Sequence, residues 1–145
     1  MPKEMQFKSV EIAYFLHATE DYDKVIASIA KELSASIDKF EVSSAEGHYG
    51  NPLRIVKAHI TGVEARDFAE SFFGRLSSIV KDNIVQEIGL SLNEHGDLFI
   101  RLDKQQLLAG KIVLAEVDPI RLKFKLRYNM SREQLLQAYT GFLQA

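Results

Sequence analysis

The run Arg121-Leu122-Lys123-Phe124-Lys125-Leu126-Arg127-Tyr128 is the part of this chain best arranged to do chemistry. Side chains alternate across a strand, so Arg121, Lys123, Lys125 and Arg127 fall on one face at a repeat of about 6.6 Å. That repeat is close to the spacing of successive nucleotides in an extended strand, and such a row can track a phosphate backbone. Four like charges on one face repel one another unless anions answer them, and Glu116, just before the turn, can neutralise only one. The same pattern also suits a solvated edge strand, where Lys and Arg discourage edge-to-edge pairing. Residues 101–132 hold eight basic side chains against three acidic ones, a local charge of +5 in a chain whose net charge is −2. A basic C-terminal third on an acidic body matters because an anionic ligand responds to local potential rather than to net charge.

A second candidate is the turn Gly47-His48-Tyr49-Gly50-Asn51-Pro52. His48, Tyr49 and Asn51 offer a stacking ring and hydrogen-bonding groups, a combination suited to unstacked bases. The glycines and the Asn-Pro step are also what a tight connection between strands needs, with Tyr49 packing as a lid.

Other chemistries find no support in the residues. The chain has no cysteine, which removes disulfides, thiolate zinc sites, iron–sulfur clusters and a cysteine nucleophile. No G-x-S-x-G, P-loop or G-x-G-x-x-G motif is present. His17-Ala18-Thr19-Glu20 has an HxxE look, and His17 and His59 could face each other across strands, but no ligand spacing repeats and no metal is expected. Glu20-Asp21 is explained by the dipole of a helix that follows. The polar start of the chain does not resemble a secretory signal, and no apolar run approaches the roughly 18 residues that span a bilayer. A cytoplasmic, non-catalytic protein without cofactor is the expectation.

The elements that must position these residues read as follows. Residues 8–18 alternate as a half-buried strand, with Val10, Ile12, Tyr14, Leu16 and Ala18 on one face. Thr19 is the expected cap of a helix carrying Val25, Ile26, Ile29, Ala30 and Leu33. Strands follow at about 38–46, with Phe40 and Val42 on one side, and 53–60. Thr61 and Glu64 fit a capping box before a helix whose apolar stripe runs from Phe68 to Val80. Ile84, Val85 and Ile88 extend that helix or form a short one ending at Gly89. Leu90–Leu92 and Leu98–Leu102 read as a hairpin. Asp103 with Gln106 caps a short helix stopping at Gly110, then strands at about 111–117 and 120–128 meet at Asp118-Pro119. Ser131 and Gln134 open a last helix over 131–143. The pattern predicts one α+β domain, a mixed or antiparallel sheet with helices on one face, burying the side with Ile12, Tyr14 and Val56.

Three segments resemble an archaeal family of predicted exosome-associated RNA-binding proteins. They are His17-Ala18-Thr19-Glu20-Asp21 with Lys24-Val25, then Glu46 through Pro52, and Phe99-Ile100-Arg101-Leu102-Asp103-Lys104-Gln105. The likeness covers roughly residues 8–128 and leaves out the last helix. It implies a fold like that of the large-subunit ribosomal protein that binds 5S ribosomal RNA, and a cytoplasmic role near RNA processing or decay. It also adds weight to His48, Tyr49, Asn51, Arg101 and Lys104 as RNA contacts. The rival expectation is an adaptor or homodimer that uses the exposed sheet face to meet a protein.

Overall fold

In the computed structural model, which describes residues 5–46, 50 and 52–144, strand β1 runs over Phe7–His17. Its even residues Val10, Ile12, Tyr14 and Leu16 are buried, as period-2 alternation requires. The alternation slips by one residue at Ser9 and Val10, so Phe7 and Ser9 are also buried. Ala18 lies beyond the strand and is exposed.

Helix α1, Tyr22–Glu32, starts later than Thr19 would have it: Asp21 is the N-cap, its side chain accepting from the Lys24 amide. Either residue type satisfies an orphan amide; Glu20 is withdrawn from the first turn because its carboxylate accepts from the His17 amide at 3.0 Å. After a single 3-10 turn at Ile37–Lys39, β2 (Phe40–Glu46) pairs antiparallel with β3 (Pro52–Thr61), Val42 opposite Val56. Phe40 is half-buried and Val42 exposed, so β2 contributes little to the core.

The long helix expected after Thr61 is three. Helix α2 spans Gly62–Gly74, α3 Ser78–Gln86 and α4 Ile88–Ser91. Ser77 breaks the run by capping α3 through the Val80 amide. Thr61 makes no side-chain cap bond; Gly62, at φ 63°, carries the chain into α2 in the left-handed region glycine tolerates. Leu90 and Ser91 are helical, so the expected hairpin shrinks to the bridge Leu92–Leu98 before β4 (Leu98–Asp103).

Helix α5, Lys104–Leu108, has Asp103 as its cap, bonded to the Gln106 amide. The strand expected at 111–117 is irregular chain. It touches β4 at one bridge, Leu102–Leu114, flanked by bonds from the Asp103 amide to Val113 and from the Ala115 amide to Arg101. Strand β5, Pro119–Leu126, follows Asp118, whose φ of 46° turns the chain in the left-handed region. Helix α6, Arg132–Gln144, opens on the reciprocal Ser131–Gln134 capping box.

The class is α+β, with an open antiparallel sheet in the order β2-β3-β1-β5-β4. Two compact units can be distinguished within it. The first draws on 1–10, 61–100 and 123–145, and has an aromatic core: Phe73 lies 4.8 Å from Phe124 and 5.2 Å from Phe142, ring centre to centre, with Phe7 and Tyr139 beside them. Pairs of this kind each add about 0.5–1.5 kcal/mol beyond the area they bury. The second unit draws on 11–60 and 101–122, and its buried residues are aliphatic apart from Tyr14 and Lys104: Ile12, Leu16, Ile29, Val56, Leu107 and Leu122 among them.

Candidate nucleic-acid interface

Along β5 the burial pattern separates two faces. Ile120, Leu122 and Phe124 are fully buried and Leu126 nearly so, which anchors the strand and turns the alternate side chains outward. Arg121 and Lys125 are exposed; Arg127, one residue beyond the strand, is exposed too, its amide still bonded to the Gln6 carbonyl. None of the three forms an ion pair among the described residues. Lys123 differs. It is half-buried, its Nζ 3.6 Å from a carboxylate oxygen of Asp97 and 6.0 Å from the centre of the Phe99 ring. Asp97 is itself buried, and a buried carboxylate needs a nearby cation. The row therefore has three open cations and one engaged one.

Arg101 lies on the outward side of β4, half-buried, alternating with buried Ile100 and Leu102. Lys104, expected with it among the RNA contacts, is placed quite differently. It is 3% exposed, and its Nζ lies 2.9 Å from the Glu20 carboxylate, 2.9 Å from the Asp118 carboxylate and 2.9 Å from the Phe15 carbonyl oxygen. Three acceptors satisfy all three donors of an ammonium. An inward lysine so engaged has no N–H left for a phosphate. Asp118 also meets His17 Nε2 at 3.2 Å.

His17, Glu20 and Asp118 bring ligand atoms within 4.8 Å of one another, a spacing a metal ion could use. Both carboxylates already point an oxygen at the lysine ammonium, which supplies the positive charge there. His59, the other histidine considered with His17, is an exposed residue of β3. Tyr14, in the same unit, has its hydroxyl pushed well above its ordinary range by burial and then by the Glu20 charge. Burial, followed by the charge of Asp97, does the same to Tyr139 in the first unit.

His48, Tyr49 and Asn51 lie outside the described residues; of that turn, Gly50 is described, at φ 76°. The sequence reading missed Phe15. Its parity on β1 is the signal: with the even residues buried, an aromatic at an odd position must face outward, and its exposure is 46%.

Residues 9–126 match a protein family described as RNA binding. The chain belongs to that family. A Pyrococcus abyssi protein named as an RNA-binding protein is 30% identical, the match covering 99% of this chain and 98% of the relative. A DUF54 protein from Methanothermobacter thermautotrophicus has a solved structure that superposes with a TM-score of 0.76 at 27% identity, covering 97% of this chain and 98% of that one. For a DUF54-family protein from Archaeoglobus fulgidus the TM-score is 0.78 at 28% identity, with 95% and 99% covered. The relatives named are archaeal, and the match reaches past β5 into α6, which the motif resemblance left out.

Proposed function

We propose that this chain binds RNA without catalysing a reaction on it, and that Arg121, Lys125 and Arg127 hold the phosphates. The observation that carries the reading is the β5 strand of an RNA-binding family member, buried on its even side and cationic on its odd side. Cations held at a fixed repeat give affinity for the backbone with no sequence information of their own. Lys123 contributes only by exchanging Asp97 for a phosphate. Arg101 on β4 is a further phosphate contact in this reading, and His48, Tyr49 and Asn51 meet bases from their turn. The relative from Pyrococcus abyssi, named for RNA binding, supports the assignment.

The reading extends to a cytoplasmic role in RNA processing or decay, with exosome proteins as partners and a fold related to the ribosomal protein that binds 5S RNA. Its support is the likeness of the three motif segments. Fluorescence anisotropy of a labelled 12-nucleotide single-stranded RNA, titrated at low salt, tests the core of the proposal. Saturable binding is expected. No binding at any ionic strength, together with a salt-insensitive dimer in sedimentation, transfers the sheet face to a protein-interaction role.

A further inference from the structure

We infer that Phe15 is a base-stacking residue, taking one unstacked base of a single-stranded RNA on the open side of the second unit. The inference rests on the RNA-binding reading and adds to it a residue that carries no charge. Phe15 belongs to β1, the middle strand in the order β2-β3-β1-β5-β4, so its ring stands on an interior strand of the sheet. It is 46% exposed, although the strand buries Tyr14 and Leu16 on either side of it in sequence.

The strands on either side of β1 in the sheet carry cations at exposed positions: Lys57, with His59, on β3 and Arg121 on β5. An exposed ring on a sheet whose neighbouring strands carry cations suits a ligand held by its base face and its charged backbone.

The backbone under the ring is also held. Lys104 donates to the Phe15 carbonyl oxygen at 2.9 Å, and the same ammonium is fixed by Glu20 and Asp118. Two residues on, the His17 amide donates to Glu20 at 3.0 Å, and the His17 ring is tied to Asp118. The buried cluster that removes Lys104 from the phosphate contacts thus pins the strand segment presenting Phe15. A platform fixed before the ligand arrives avoids the ordering cost of binding.

The test uses the full chain and a labelled 12-nucleotide oligouridylate. Phe15→Leu keeps an apolar side chain of similar size but has no ring face, and should weaken binding about five- to 140-fold, the range for one lost base stack. The slope of affinity against salt should stay at the wild-type value, and binding of a duplex RNA of equal length should be unaffected. Phe15→Trp should bind the oligouridylate within about twofold of wild type. Because the chain has no tryptophan, that variant also carries a single indole, whose emission should be quenched on saturation.

Wild-type affinity in Phe15→Leu, or an indole emission unchanged at saturation, overturns the assignment while leaving RNA binding intact. Failure of the wild-type protein to bind the oligouridylate removes the RNA reading itself, a different result. The indole measurement decides the matter even if Phe15→Leu does not fold.

Discussion

Replacing Lys104 with methionine separates a buried structural cation from a phosphate contact. Methionine keeps the length and apolar stem of lysine and removes the ammonium. Three contacts at 2.9 Å disappear, two of them to carboxylates. Removing one partner from a buried ion pair typically costs about 3–5 kcal/mol. Glu20 and Asp118 have side chains 16% and 35% exposed, so both can regain some water, and a loss of about 2–3 kcal/mol is expected here. In a domain of this size that lowers the melting midpoint by about 5–10 °C. Circular-dichroism melting and urea titration measure the loss, and because the pair is buried it should persist at high salt. At a temperature where the variant is folded, its salt slope for RNA binding should equal that of wild type. A variant that melts within a degree of wild type and binds RNA with a shallower salt slope would show that Lys104 acts from the surface, refuting the structural role.

Three further perturbations probe the frame. Ser131→Ala removes half of the capping box on α6 and should cost about 1 kcal/mol in urea denaturation. Gly96→Ala should be worse, at about 1–3 kcal/mol, because the glycine sits at φ 83° and a Cβ there would lie 2.8 Å from Leu135 Cδ1. Tyr139→Phe should leave the melting midpoint equal or higher, since the buried hydroxyl finds no hydrogen-bond partner among the described residues and leaving one unmade costs about 1–3 kcal/mol.

Where the chemistry was local, the sequence announced it. The alternation of Ile120, Leu122, Phe124 and Leu126 set the faces of β5, and the caps at Asp103 and Ser131 form within four residues, so no distant partner was needed. The Lys104 expectation failed through tertiary contacts. Lys104 is explained only by Glu20, 84 residues earlier, and by the turn that brings Asp118 back. The segment 111–117 reads as a strand, yet it meets β4 at the single bridge Leu102–Leu114, with β4 giving way to α5 at Lys104. The spacing of Leu90 and Leu92 suggests a strand, but leucine is a good helix former, and Leu90 sits 89% exposed on the short α4.

The central claim, that cations on β5 hold RNA phosphates, is tested most directly by the salt dependence of oligouridylate binding in wild type, Arg121→Ala and Lys125→Ala. Each neutralised phosphate contributes about 0.7 to the slope of log affinity against log salt for a single strand, so the three open cations of β5 together with Arg101 give a wild-type slope of roughly −3. Each substitution should flatten that slope by about 0.7 and weaken every sequence alike. A wild-type slope near zero, or variants whose slopes match wild type, would contradict the account.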